Sequence, residues 1–184
     1  FLVKHYLTSK EYFYEYIIRR IILPLIVFVL LFFPILLKFF PFLISKLRIF
    51  HMRNIDIFFI WLSAIIISFF INVVLKNGWG RARPNDILEF GGEKNFSAWW
   101  QYSNECLSNC SFVSGDSSVG FFIAVLYYIH RNNKILYMSL LVGLIFGLVR
   151  IGAGAHFLSD ILISFLVVNL LLNLIYFVYY NSIK

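Results

Sequence analysis

Five long apolar runs, separated by shorter polar connections, dominate the sequence. A helix needs about 20 apolar residues to cross roughly 30 Å of hydrocarbon at about 1.5 Å per residue, and each run comes close to that length. The pattern therefore predicts an all-α, polytopic membrane helical bundle that forms a single domain over residues 1–184. The predicted spans are residues 21–44, 55–75, 114–129, 135–151 and 156–180.

The first run is less regular than the others. It contains Pro24, Pro34 and Pro41, which we expect to kink or end the helix. It also contains Lys38, which we expect to extend toward a headgroup layer. Before it, residues 1–20 mix basic and aromatic side chains, which is typical of an interfacial amphipathic helix or of a plain juxtamembrane linker. The sequence starts without a methionine, so we expect an upstream segment in the whole protein.

The composition is also that of a membrane protein. The sequence is 61% hydrophobic and only 14% charged, whereas a soluble domain has about a quarter charged residues. A net charge of +7 is compatible with nucleic-acid binding. Here, however, the basic residues stand between apolar runs, where topology and lipid headgroups account for them. We therefore expect membrane lipid as the partner, and neither nucleic acid nor an obligate protein partner.

The distribution of basic residues predicts how the bundle is oriented. The short basic connections 45–54 and 130–134 fall on one side together with the carboxyl terminus, and the positive-inside rule makes that side cytoplasmic. The long connection 76–113 and the turn 152–155 then face the other side, which is the periplasm in a bacterium. An odd number of spans puts residues 1–20 there too, so a sixth span is expected in the whole protein.

Polar residues suited to phosphate chemistry stand at the ends of the predicted spans. Lys76, Arg83 and Pro84 follow the second span, with Arg81 between them. Arginine offers planar donors for phosphate oxygens and lysine adds a point charge, although cations at a span end can also serve only to stop membrane insertion. These cations lie on the side where the positive-inside rule expects few, which favours anion binding.

A second group, Ser114, Gly115 and Asp116, begins the third span. Serine and aspartate suit a helix N-terminus as capping residues. The unpaired N–H groups and partial positive charge at that end also make an anion site, and Gly115 would let the main chain approach a phosphate closely. Capping and phosphate binding are compatible, and the pattern alone leaves open whether an anion binds.

The third group is Arg150, His156 and Asp160, between the fourth and fifth spans. On a helix, His156 and Asp160 would share a face, and a carboxylate bonded to one imidazole nitrogen leaves the other as a nucleophile. The alternative is an interfacial histidine beside a solvated aspartate. Ionisable residues in membrane segments cost about 2.5–3.5 kcal/mol each, so functional use is the default interpretation. The small residues of the turn 152–155 leave room for a ligand.

Two cysteines, Cys106 and Cys110, stand in the connection 76–113. They are compatible with unrelated thiols, a metal pair or a disulfide. Few other metal ligands lie nearby, and a short-loop disulfide suits an oxidising compartment, so we expect the disulfide. We expect no metal site and no cofactor.

Taken in order, the three groups resemble the type-2 phosphatidic acid phosphatase superfamily of membrane lipid phosphatases, whose motifs are K-x6-RP, PSGH and SR-x5-H-x3-D. The resemblance spans roughly residues 55–170 and implies a six-helix membrane fold and a metal-independent reaction through a phosphohistidine. It implies that His156 is the nucleophile and that Asp160 orients it. It also implies a phosphate-binding set formed by Lys76, Arg83, Arg150, Ser114 and Gly115.

Three positions depart from the superfamily's motifs. Val113 replaces a proline, and Val149 replaces a serine. Asp116 stands where the superfamily has the histidine that protonates the leaving oxygen. An aspartate is an acid near neutral pH only when burial or a nearby negative charge raises its pKa. We therefore expect Asp116 to be protonated only beside a bound phosphate.

The wider sequence is similar to one branch, the bacterial lipid A 4′-phosphatases, through Trp79-Gly80-Arg81, the Cys106–Cys110 loop and residues 154–160. This branch implies removal of a lipid A phosphate by an active-site loop, residues 76–113, at the periplasmic face of the inner membrane. Sister enzymes act on the 1-phosphate, phosphatidylglycerophosphate or undecaprenyl pyrophosphate, and these remain alternatives. A non-catalytic lipid-phosphate binder or transporter would need neither His156 nor Asp160.

Overall fold

The structure, a computed structural model, describes residues 16–39 and 52–182, without the side chains of residues 37–39. Most of the predicted interfacial segment 1–20, Pro41, the Lys38 side chain and most of the connection 45–54 lie outside the described residues. The described part contains six α-helices and no β-strand. The helices are α1 Leu23–Phe39, α2 Asn54–Phe69, α3 Gly115–Phe122, α4 Val125–His130, α5 Asn133–Gly152 and α6 Leu158–Asn181.

Four helical segments of the described chain are long and apolar enough to cross a membrane. They are Ile18–Leu36, Asn54–Asn77, Asn133–Gly152 and Leu158–Asn181. The first begins with the π-helical turn Ile18–Ile22 and the second ends with the π-helical turn Phe70–Asn77. Pro24 lies just after the π-helical turn, at the junction with α1, and Pro34 lies inside α1. The predicted helical membrane fold is confirmed.

The third predicted span, 114–129, is not one continuous helix. It consists of α3 and α4, joined at Ile123 and Ala124, whose N–H groups donate to carbonyls only three residues back. Such bonds tighten the chain into a 3-10-like turn. The residues around this turn are apolar and suit a helix, so the apolar pattern carries no signal for the interruption.

Small residues bring the central helices into close contact. Helix α3 packs against α5 and α6. A Cβ at Gly120 of α3 would overlap the backbone of Gly143 in α5, and a Cβ at Gly147 would overlap the side chain of Ile161 in α6. Glycine allows such close approach in membrane bundles, where dispersion contacts replace the hydrophobic effect between helices.

The two ends of the bundle differ in chemistry. At one end, buried Asp56 accepts a 2.7 Å hydrogen bond from Tyr180 Oη and pairs with Arg53. Phe59 packs against the ring of Tyr180 there. At the opposite end, the last turn of the α2 span, the start of α3, the end of α5 and the start of α6 lie close together, and this end carries the motif residues.

Candidate functional site

A buried ion pair between Arg81 and Asp160 forms the base of the site. Arg81 Nη1 donates to Asp160 Oδ1 over 2.5 Å and to the Ser159 hydroxyl over 2.9 Å, while its Nε donates to the carbonyl of Ser97. The guanidinium also lies 4.1 Å from the ring centroid of Phe157. Both charged side chains are almost fully enclosed, so Arg81 neutralises Asp160 rather than facing an open cleft.

The second oxygen of Asp160 connects helix α6 to the segment before α3. It accepts a 2.9 Å bond from the Phe157 N–H, which caps the helix, and a 2.6 Å bond from the Ser111 hydroxyl. A carboxylate in the first turn also suits the positive end of the helix dipole. Both carboxylate oxygens of Asp160 are therefore held by hydrogen bonds in the absence of substrate.

His156 lies before helix α6, not on it, and this changes the expected contact with Asp160. Its Nδ1 lies 2.7 Å from the backbone carbonyl of Ser111 and 3.6 Å from Asp160 Oδ2. The expected direct hydrogen bond to Asp160 is replaced by one to a carbonyl, because α6 begins only at Leu158 and the two residues are not one helical turn apart. Asp160 acts on His156 by its charge over this 3.6 Å and also holds Ser111, whose carbonyl contacts the ring.

This contact determines the tautomer of His156. A carbonyl oxygen can only accept, so Nδ1 carries the proton and Nε2 keeps a free lone pair. Burial lowers the pKa of His156 below its usual value, Asp160 acts in the opposite direction, and the charges of Lys76 and Arg150 lower it further. His156 is thus a buried neutral imidazole within electrostatic range of two cations.

We name three cations the cationic cluster: Lys76, which lies beside the start of α3, and Arg83 and Arg150, whose charges act on Lys76. Lys76 Nζ lies 3.8 Å from the point that a Cβ would occupy at Gly115, and the charges of Arg83 and Arg150 both act on Lys76. Arg150 is buried at the end of α5. The structure therefore brings together cations that are distant in sequence.

Asp116 lies between two guanidinium groups. Its Oδ2 is 3.2 Å from Arg150 Nε and 3.2 Å from Nε of Arg19, a residue near the start of the first span. The carboxyl group that stands where the superfamily motif predicts a histidine is thus paired with two arginines. Arg19 was not predicted to reach the site.

Ser114 is fully buried and caps helix α3. Its hydroxyl accepts from the Ser117 N–H at 3.4 Å and from the Ser117 hydroxyl at 2.9 Å, and its carbonyl accepts from Ser118 and Ser164. The Ser114 side chain therefore acts as the helix cap that the sequence predicted. At Gly115 the first N–H groups of α3 remain available to an anion.

The disulfide loop positions Arg83. Cys106 and Cys110 form a disulfide, and Asn109, between them, accepts bonds of 3.1 and 2.8 Å from Nε and Nη2 of Arg83 through its carbonyl. The Asn109 N–H in turn donates to the side chain of Asn77 at the end of the α2 span. Arg83 is thus held between the loop and the bundle.

Two further residues hold the site together, and no role was predicted for either of them from the sequence. Ser111 supplies a hydroxyl to Asp160 and a carbonyl to His156, as described above. Asn85 donates from its side chain to the carbonyl of Ala153 and from its N–H to the carbonyl of Gly154, and so fixes the turn before His156. Gly154 has a φ of +62°, which favours glycine. The Pro84-Asn85 pair predicts a turn but not its partner.

The chemistry of the site suits an anion. Among the residues that the structure describes, no group of three or more His, Cys, Asp or Glu side chains is arranged to hold a metal ion. Guanidinium and ammonium groups instead lie near the start of α3, and the charges of Lys76 and Arg150 act on His156. Such donors bind phosphate oxygens and stabilise the charge of a transferring phosphoryl group.

Three curated relatives share about a third of their aligned residues with this chain. A "Lipid A 4′-phosphatase" of Francisella tularensis subsp. novicida is 35% identical over 95 residues, which is 50% of this chain and 43% of the relative. A protein of the same name from Rhizobium leguminosarum is 35% identical over 99 residues, covering 52% and 42%. One from Rhizobium etli is 33% identical over 99 residues, covering 52% and 38%.

The aligned part of this chain spans less than half the length of each of these relatives. No solved structure matches the chain. The profile of the PAP2 superfamily matches residues 58–184, a range that includes the cationic cluster, His156 and Asp160. Since this match covers well over half of the sequence, the chain belongs to the PAP2 superfamily.

Proposed function

We propose that this protein is a membrane lipid phosphatase that removes a phosphate monoester from lipid A, with the 4′-phosphate as the favoured position. The names of the three relatives support this substrate. The superfamily supports the reaction class, and the apolar spans fit a substrate that lies in a membrane. We further propose that the protein resides in the bacterial inner membrane with the loop 76–113 as its active-site loop facing the periplasm.

The observation that carries the proposal is the state of His156. Its Nδ1 proton is held by the Ser111 carbonyl, so the Nε2 lone pair is available for attack. In the first step, Nε2 forms a bond to phosphorus while the bond from phosphorus to the sugar oxygen breaks. The cationic cluster stabilises the charge on the transferring group. The product of this step is a phosphohistidine and a sugar oxygen that needs a proton.

Asp116 is the proposed source of that proton. A phosphate beside Asp116 disfavours its charged form and so favours protonation in the substrate complex. In the second step, water attacks phosphorus, the bond from phosphorus to Nε2 breaks, and Asp116 takes a proton from the water. Phosphate leaves, Asp116 releases its proton to the solvent, and both side chains return to their starting state. Full activity of Asp116→Asn across the pH range would exclude this role.

Two other interpretations remain as outcomes of the test. Phosphatidylglycerophosphate and undecaprenyl pyrophosphate offer the same phosphate chemistry on other lipids. A non-catalytic lipid-phosphate binder or transporter would use the cationic cluster alone. The neutral His156 and the buried Arg81–Asp160 pair favour the enzyme, because a binder needs no nucleophile and no device to fix its tautomer.

Phosphate release from purified lipid substrates tests the proposal. The whole protein in detergent with a chelator is incubated with lipid A, phosphatidylglycerophosphate and undecaprenyl pyrophosphate. We expect fastest release from lipid A, with loss of the 4′-phosphate by mass spectrometry. His156→Gln should lower the rate about a thousandfold or more. His130→Gln is the matched control, since His130 ends α4, next to the other basic connection.

The possible results separate the alternatives. Faster release from another lipid would replace lipid A as the substrate, and tight lipid binding without release would favour the binder. Release that depends on a metal ion would contradict a reaction carried by His156 alone. A His156→Gln variant as active as His130→Gln would remove the phosphohistidine from the mechanism.

A further inference from the structure

Arg19 reaches the site from a part of the chain that the superfamily match does not include. It lies in the π-helical turn Ile18–Ile22, before α1, whereas the match begins at residue 58. Its Nε is 3.2 Å from Asp116 Oδ2. No motif assigns a role to this arginine.

The same carboxylate oxygen is contacted from two sides. Arg150 Nε is also 3.2 Å from Asp116 Oδ2, with the Arg150 side chain 5% exposed and the Arg19 side chain 49% exposed. An anionic oxygen is therefore held between an inner and an outer guanidinium group. A phosphate oxygen has the same charge and the same preference for planar donors, so this position suits phosphate as well.

The charges of the site leave room for a dianion. Three cations, namely Arg83, Arg150 and Arg19, and one carboxylate, that of Asp116, act by charge on Lys76, whereas Asp160 is neutralised by Arg81. The charges of Arg19 and Asp116 both act on Lys76, so all belong to one electrostatic group. A phosphate monoester carries about −1.5 to −2 at neutral pH and would offset the excess.

Helix α1 also borders the route by which a membrane lipid could approach. A cavity of about 580 Å³ lies between α1, α2 and α3. Val27 and Leu30 of α1 line it, as do Asn72 and Gly115. Lys76 Nζ lies 3.8 Å from the point that a Cβ would occupy at Gly115. An acyl chain of a lipid in this cavity would have its headgroup beside the turn before α1 that carries Arg19.

We propose that Arg19 is a fourth phosphate-binding cation of this site, supplied by the segment before α1. When the lipid phosphate enters, its oxygens replace Asp116 Oδ2 between Arg19 and Arg150. Asp116 then lies beside the phosphate dianion, where a proton on its carboxyl group is favoured. This inference rests on the proposed function for its substrate but not for the anion site itself.

Arg19→Gln and Arg20→Gln form a matched pair of variants. Both remove one positive charge from the same turn, but the ion pairs described for Asp116 involve Arg19 and Arg150 only. We expect Arg19→Gln to raise KM for lipid A about tenfold, the effect of one lost charged hydrogen bond, with a smaller change in kcat. Arg20→Gln should behave like the unaltered protein. Equal KM values for the two variants would overturn the proposal.

Arg19→Lys keeps the charge but loses the planar donors. This variant should recover part of the lost affinity. A KM for Arg19→Lys no better than that for Arg19→Gln, with both proteins folded, would count against binding through the charge of this residue.

Binding of inorganic phosphate, measured by calorimetry, separates phosphate binding from a purely structural role. In an Asp116→Ala background, an arginine whose role is to hold the Asp116 carboxylate has lost that partner, so Arg19→Gln would leave phosphate binding unchanged. We expect Arg19→Gln to weaken phosphate binding about tenfold in this background too. Unchanged binding there, or no phosphate binding by the unaltered protein, would refute the site.

This measurement also distinguishes two kinds of failure. If no lipid releases phosphate but phosphate binding still depends on Arg19, the proposed function fails and the anion site stands. If lipid A is hydrolysed but neither KM nor phosphate binding depends on Arg19, only the assignment of Arg19 fails.

Discussion

The surroundings of His156 determine the pH at which the site can act. Its Nδ1 donates to a carbonyl that has no charge to stabilise an imidazolium, and burial excludes the water that would do so. Both effects favour the neutral ring, and burial lowers the pKa of His156 from its usual 6.5. Because the neutral ring is the nucleophile, activity should persist to lower pH than an exposed histidine would allow.

We therefore expect kcat/KM to stay on its plateau as the pH falls through 6.5 and to decline only below that value. The pH profile of phosphate release checks this, with His130→Gln as a variant that should leave the acidic limb in place. Asp116→Asn should keep the same acidic limb at a lower rate, since that limb belongs to the free enzyme's nucleophile. A limb centred at or above 6.5 would show that His156 is solvated in the working enzyme.

Side-chain chemistry was predictable from sequence, but backbone partners were not. The spacing of Lys76, Arg83, Arg150 and His156 indicated a phosphate site, and these residues do lie at one end of the bundle. The carbonyl that fixes His156 belongs to Ser111. Every residue has a backbone carbonyl, so the residue type does not indicate which one contacts the histidine. Only the path of the chain brings it there.

At the scale of helices, the contact between α3 and α5 sets the distance between the two parts of the site. Helix α3 carries Gly115 and Asp116 at its start, and α5 carries Arg150 at its end. The helices approach each other at Gly120 and Gly143, where neither residue has space for a Cβ. A wider spacing here would move Asp116 away from Arg150.

Gly120→Ala should therefore destabilise the bundle by about 1–3 kcal/mol through overpacking. It should also lower phosphate release at temperatures where the protein remains folded, because α3 is displaced from α5. Thermal unfolding in detergent and the rate of phosphate release check the two effects. Gly152→Ala is the control for stability: a Cβ there meets nothing within 4 Å, so no loss is expected. Equal unfolding temperatures for the two variants would contradict the tight crossing.

The apolar pattern predicted which segments form helices. It did not predict where the helices end or which residues they contact, because both depend on tertiary packing. Apolar runs predicted α2, α5 and α6 closely, because a membrane requires every backbone group to be paired within the helix. The break between α3 and α4 and the entry of Arg19 had no local signal. Arg19 was grouped with an interfacial segment, and its partner Asp116 lies far away in sequence.

At the scale of the whole molecule, the polar and charged residues of the described bundle form two groups, one at each end. The end with Arg53, Asp56 and Tyr180 also carries the basic connection after α4, and the site lies at the opposite end. Arg131 begins that connection and lies 4.4 Å from the ring centroid of Tyr176. The described part of this predicted grouping thus lies at one end of the bundle, and the positive-inside rule predicts that this end faces the cytoplasm.

Labelling of single introduced cysteines tests this orientation. The two natural cysteines form a disulfide, so they leave no thiol to react. In bacterial spheroplasts, a membrane-impermeant maleimide should label Glu93→Cys in the loop 76–113, and should label Asn133→Cys at the start of α5 only after permeabilisation. Both positions are exposed. The reverse pattern would place His156 and the cationic cluster on the cytoplasmic side and would contradict the proposed orientation.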